Sequence, residues 1–97
     1  MTLAGKRALV TGASGALGSA IAQRLAAQGA VVWLHAHSRP DAVQALASAI
    51  AAAGGQAQPI VFDLGDVAAT RAACARLLQD GPVQIIVNKA RVHDDAV

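Results

Sequence analysis

The apolar residues of this chain alternate between short unbroken runs and longer stripes at helical spacing. Lys6 and Arg7 lead into Ala8-Leu9-Val10-Thr11, a run stopped by Gly12. Apolar residues in direct succession suit a parallel strand buried on both faces, so a strand is expected over residues 6–11. From Ala16 the period lengthens: Leu17, Ile21 and Leu25 recur every four residues, while Gln23, Arg24 and Gln28 fall on the other side. That spacing predicts a helix with the three apolar residues inward and Gly29 as its closing glycine.

The same alternation continues. Residues 30–34, Ala-Val-Val-Trp-Leu, read as a second buried strand, and residues 35–40 as a polar turn. Asp41 helps to start a second helix with Val43, Leu46, Ala47 and Ile50 inward, ended by Gly54-Gly55. Residues 59–62 form an expected third strand that delivers Asp63 at its C-terminal end. Asp66 is the expected N-cap of a third helix, with Val67, Thr70, Cys74, Leu77 and Leu78 inward. Gly81-Pro82 stops it, and residues 83–87 make a fourth strand ending at Asn88. An order βαβαβαβ with short connections demands a parallel sheet with right-handed crossovers. The expected fold is α/β, the first half of a Rossmann-type sheet with helices on both faces.

Between the first strand and the first helix lies Thr11-Gly12-Ala13-Ser14-Gly15-Ala16-Leu17-Gly18. Binding a pyrophosphate there requires a tight turn, close approach of backbone to ligand, and free N–H groups aimed at the anion. Glycines meet the first two needs because they carry no Cβ. A helix N-terminus meets the third through its unsatisfied amides and its dipole. A glycine triplet alone is weak, since structural turns use glycine too; after the first strand of a βαβ unit it becomes a nucleotide-loop signature. No Lys-Ser/Thr pair follows the loop, which disfavours a Walker-type nucleotidase.

The end of the second strand bears on which nucleotide. A site built for NAD commonly places a carboxylate about 20 residues past the loop, on the ribose 2′-hydroxyl. Here the segment is His35-Ala36-His37-Ser38-Arg39, with no acid before Asp41. Nothing in it repels a 2′-phosphate, and His37, Ser38 or Arg39 can bind one, so NADP(H) is the expected cofactor. The competing reading leaves Arg39 as a solvated turn residue and both histidines on the surface.

Composition narrows the field further. The apolar fraction is 55%, much of it alanine, with only Trp33 and Phe62 aromatic. Alanine favours helices packed close against a sheet. The net charge of +2 comes from scattered lysines and arginines, without the basic patch and interleaved aromatics of a nucleic-acid surface. The lone Cys74 reads as a small buried apolar residue. Neither a signal peptide nor a run of ~18 apolar residues is evident, so a soluble cytoplasmic protein without nucleic-acid or membrane partners is expected.

These residues resemble the short-chain dehydrogenase/reductase family over nearly the whole chain, from Gly5 to about Asp95. The carriers are Lys6-Arg7-Ala8-Leu9-Val10-Thr11-Gly12-Ala13-Ser14, Asp63 after the third strand, and Ile86-Val87-Asn88-Lys89-Ala90-Arg91 after the fourth. Within the family the chain is most similar to bacterial 3-oxoacyl-carrier-protein reductases of fatty acid biosynthesis, which reduce a β-keto group with NADPH, usually as tetramers. The resemblance implies that Gly12, Ser14, Gly15, Leu17 and Gly18 surround the cofactor phosphates. It implies further that Asp63 and the backbone of Leu64 meet the adenine, and that Asn88 and Ala90 lie along the ribose side. A carbonyl substrate and a homo-oligomer are implied only for an intact enzyme.

Three departures qualify this expectation. Ala16 stands where the family loop has glycine, and the spacing Gly12, Gly15, Gly18 matches the extended, epimerase-like branch. Arg91 replaces the glycine of the family's Asn-Asn-Ala-Gly, which predicts weakened cofactor binding unless the guanidinium reaches an anion. The sequence has no tyrosine, so the family's Ser and Tyr-x-x-x-Lys machinery is absent and the 97 residues are expected to be inactive alone. Three readings follow: the N-terminal dinucleotide-binding part of a reductase, apparently truncated, with an open edge at the fourth strand; a non-catalytic nucleotide-binding module; and an epimerase-like relative.

Overall fold

The computed structural model describes residues 3–89. Along the chain run β1 (Arg7–Thr11), α1 (Ala16–Ala27), β2 (Val31–Ala36), α2 (Pro40–Ala52), β3 (Gln56–Val61), α3 (Val67–Gln79) and β4 (Ile85–Asn88). The strands make one sheet in the order β3-β2-β1-β4, and every pairing is parallel. Leu9 lies opposite both Trp33 and Ile86, and Thr11 opposite Asn88.

Side chains alternate across the strands, so the sheet feeds two cores. Ala8, Val10, Val32, Leu34 and Ala36 pack with Ala22 and Ala26 of α1 and Val43, Leu46 and Ile50 of α2. Trp33 and Ile60 pack with Ala73 and Leu77 of α3, joined by Leu9, Phe62 and Val83. Helices thus cover both faces, α1 and α2 on one and α3 on the other, as expected of a Rossmann-type half.

Several helix boundaries follow the expected chemistry. Gly29 and Gly54 close α1 and α2 with φ of 99° and 93°, a left-handed turn that a side chain would strain. The Asp66 side chain caps α3 by accepting from the Ala69 amide at 3.0 Å. α2 begins at Pro40, one residue before the expected start at Asp41; a proline there has no N–H to leave unpaired.

The inner stripes of two helices are rotated from the expectation. In α1 the buried residues are Gly18, Ala22 and Ala26, one position past the leucine stripe, and Leu17 is 58% exposed. Small residues let the helix axis approach the sheet, leaving the larger Ile21 and Leu25 on its flank, half-buried. In α3 Leu77 is buried as expected, with Ala73, but Val67, Cys74 and Leu78 are exposed. The contact stripe of α3 narrows to Ala73 and Leu77, four residues apart on one face of the helix.

Strand boundaries moved too. β2 runs on to Ala36, so His35 is a strand residue and buried, not part of a surface turn. β3 begins at Gln56 and ends before Phe62; its first half alternates exposed glutamines with half-buried residues, a polar edge pattern that hydrophobicity does not reveal. β4 begins at Ile85, because Gln84 is engaged with Arg7 instead. Its amide donates to the Arg7 carbonyl at 3.0 Å and its Oε1 accepts from the Arg7 amide at 2.8 Å.

Candidate functional site

The chain leaves β1 toward β2 on one side and later returns by α3 to β4 on the other, so the order reverses between β1 and β4. At such a switch point the C-terminal strand ends open a crevice in which α/β proteins bind ligands. The loop of residues 12–15 sits there, following β1 and preceding α1.

Gly12 turns the chain with φ of 68°, and its carbonyl accepts from the Gly15 amide at 3.2 Å. Gly15 is the N-cap of α1, and the first helical bond runs from the Ser19 amide to its carbonyl at 2.9 Å. The amides of Ala16, Leu17 and Gly18 therefore have no acceptor within the helix and stand as donors at its positive end. Gly18 is buried against the loop: a Cβ there would strike the Gly12 carbonyl. A Cβ on Gly15 would sit 3.6 Å from that same oxygen, an ordinary contact. The glycine required for close packing is Gly18, and Ala16 opens the helix without distorting it.

The first two amides of the loop are tied off by one residue. Ala13 donates to the His35 carbonyl at 2.8 Å, and Gly12 donates to His35 Nδ1 at 3.1 Å. Because Nδ1 accepts, the proton belongs on Nε2, which donates to the Phe62 carbonyl at 2.9 Å. The His35 ring also lies 4.5 Å from that of Phe62. Burial holds the imidazole below its ordinary value of 6.5, against the opposing pull of the Phe62 carbonyl; the charge of His37 lowers it further. Sequence reasoning missed this residue. Its only signal was a polar residue directly following Trp33-Leu34.

Across the crevice, Thr11 Oγ1 donates to Asn88 Oδ1 at 2.8 Å and accepts from the Lys89 amide at 2.9 Å. Thr11 and Asn88 thereby fasten the ends of β1 and β4, the two strands that bound the switch point. Ala90 and Arg91 lie outside the described residues.

His37, Ser38 and Arg39 follow β2 and are all exposed. Asp63, past the end of β3, accepts from the Gly65 amide at 2.8 Å through Oδ1 and reaches His37 Nε2 at 3.5 Å through Oδ2. The carboxylate missing from the end of β2 is thus brought beside it by β3, on His37 rather than on Arg39. Leu64 is half-buried, its carbonyl 3.4 Å from Thr70 Oγ1. Among the described residues no cluster of His, Cys, Asp and Glu could hold a metal ion, and no helix is long and apolar enough to cross a membrane.

The family model for the short chain dehydrogenases matches residues 6–97. The chain belongs to that family. An uncharacterised oxidoreductase of Methylorubrum extorquens is 38% identical over 95 residues, which are 97% of this chain and 38% of that protein. The structure resembles that of a short-chain dehydrogenase from Burkholderia cenocepacia solved in complex with NADP, with a TM-score of 0.84 and 43% identity over 93% of this chain and 37% of the other. It also resembles a 3-oxoacyl (acyl-carrier-protein) reductase from Agrobacterium tumefaciens with NADP bound, with a TM-score of 0.84 and 39% identity over 97% of this chain and 36% of the other. The chain therefore spans little more than a third of the length of these short-chain dehydrogenase relatives, the portion that carries the glycine loop.

Proposed function

We propose that this chain is the dinucleotide-binding part of an NADP(H)-dependent short-chain reductase. The observation that carries the reading is the cradle at Gly18: backbone approaches backbone where a side chain would stand, and three amides at the start of α1 have no acceptor within the helix. That combination fits a pyrophosphate, which needs closeness and donors rather than a countercharge. Ser14, Gly15, Ala16, Leu17 and Gly18 would surround the phosphates, with Gly12 turning the chain toward them. Asp63 and Leu64 would border the adenine, and Asn88 and Ala90 the ribose on the far side.

His37, Ser38 and Arg39 support a preference for the 2′-phosphorylated cofactor, since no carboxylate of β2 opposes it. Asp63 offsets His37, which leaves Arg39 and the Ser38 hydroxyl as the principal partners of the 2′-phosphate. A reduced nicotinamide supplies hydride when bound; the likeness to the Agrobacterium reductase supports a β-keto acyl carbonyl as its destination in an intact enzyme. The 97 residues hold no tyrosine to give the accompanying proton, so the chain alone binds without turnover.

Calorimetric titration of the chain with NADPH and NADH tests the reading. NADPH should bind roughly tenfold more tightly than NADH, a charge-assisted hydrogen bond being worth that much. Arg39→Ala should close most of the gap. Equal affinities would refute the NADP(H) preference, and no binding of either would refute the dinucleotide site.

A further inference from the structure

One buried titratable group lies outside every role assigned so far. His35 is 1% exposed, and its ring hydrogen-bonds to Gly12 and Phe62 rather than to the amides that open α1 or to the residues after β2. Three of its hydrogen bonds tie β2 to two other segments: the loop, with Gly12 on Nδ1 and Ala13 on the His35 carbonyl, and the end of β3, with Phe62 on Nε2. We propose that the neutral imidazole of His35 is a positioning residue for the phosphate loop, and that its protonation releases Gly12 and makes dinucleotide binding pH-dependent. The inference rests on the reading of residues 12–18 as the phosphate loop.

The chemistry is that of a single lone pair. Neutral imidazole with its proton on Nε2 offers Nδ1 as an acceptor; imidazolium offers only donors. A second proton would set an N–H against the Gly12 N–H at a distance of 3.1 Å, with no acceptor between them. Either the ring must swing or Gly12 must move, and Gly12 is the residue whose φ of 68° defines the turn and whose carbonyl lies under Gly18. A shift there is passed directly to the start of α1.

The surroundings favour the neutral ring. The loop itself, residues 12–18, carries no ionisable side chain. The segment after β2 contributes His37, whose charge opposes a proton on His35. The segment after β3 contributes Asp63, engaged with His37 at 3.5 Å. Before α3, Asp66 is engaged by the Ala69 amide at 3.0 Å, and after β4 the amide of Lys89 binds Thr11. Among the described residues neither carboxylate forms an ion pair with His35.

The test pairs two measurements on the 97-residue chain. The first is the NADPH dissociation constant between pH 8 and pH 5 for the wild type and His35→Asn. Asparagine places Oδ1 where Nδ1 stands, can accept from Gly12, and does not titrate. The variant should bind within ~3-fold of wild type at pH 8, while at pH 5 the wild type should fall at least ~5-fold further than the variant. Comparing slopes removes the cofactor's own phosphate titration. Identical slopes would overturn the proposal.

The second measurement needs no nucleotide. Imidazole nitrogen NMR of the free wild-type chain should find the Nε2–H tautomer, with the Gly12 amide shift following the His35 titration. An Nδ1–H tautomer, or a Gly12 amide indifferent to that titration, would overturn the proposal whether or not His35→Asn folds. Failure to bind NADPH at every pH refutes the dinucleotide reading instead, a result distinct from either.

Discussion

Gly18, in the first turn of α1, packs its bare Cα against the carbonyl of Gly12, leaving no room for a methyl group. Gly15, three residues earlier, faces the same oxygen with space to spare. The two glycines therefore respond differently to one added carbon. Gly18→Ala should destabilise the chain by about 1–3 kcal/mol, the cost of overpacking a tight contact, and abolish measurable dinucleotide binding. Gly15→Ala should cost at most ~1 kcal/mol, chiefly a poorer N-cap, and retain binding. Urea melts and NADPH titrations of both variants check the contrast; equal losses would place the tight contact elsewhere.

Thr11 and Asn88 give a test of the fastening between β1 and β4. Thr11→Val keeps the shape of the side chain but removes its hydroxyl, orphaning Asn88 Oδ1 and the Lys89 amide. The expected loss is about 1–2 kcal/mol, since both partners remain near water and are partly resatisfied. Hydrogen exchange should quicken at Lys89 more than in β2. A variant as stable as wild type, with unchanged exchange, contradicts the role.

The sign of the pH dependence of stability follows from His35. Its folded value lies below 6.5, the value of the free side chain, because burial penalises the charge. The unfolded chain therefore takes up a proton first as pH falls. The contribution of His35 is fully present above 6.5 and is lost as pH drops toward the lower folded value. Urea midpoints should fall over that window in wild type and fall less in His35→Asn. A midpoint that rises on acidification through the same window would reverse the assignment.

Much of the architecture was legible because parallel strands buried on both faces leave unbroken apolar runs, and glycines mark where helices stop. The order of elements, the α2 stripe of Val43, Leu46 and Ile50, and the Asp66 cap all follow from such local signals. The α1 stripe did not, because packing chose the small face of Gly18, Ala22 and Ala26 over the more hydrophobic one. Close approach to a sheet rewards absence of side chain, which hydrophobicity scales do not record. The N-terminal half of β3 was hidden for a related reason: Gln56 and Gln58 lie on an exposed edge and carry no apolar signal.

The loop was found from its glycines, but its support was not. His35 looked like the first residue of a polar turn because histidine is usually solvated. Its burial depends on Gly12 and Phe62 arriving from 23 residues earlier and 27 residues later. No local pattern encodes such a meeting. Asp63 was expected near a nucleotide base, whereas its contact with His37 required the β2 and β3 ends to be adjacent.

The central claim is that the amides at the start of α1 receive the pyrophosphate. An amide-resolved NMR titration of the 97-residue chain with NADPH tests it most directly. The largest shifts are expected at Ser14, Gly15, Ala16, Leu17 and Gly18, with smaller ones at Ser38, Arg39 and Asp63. Saturable shifts that spare residues 14–18 and gather instead along α3 would contradict it.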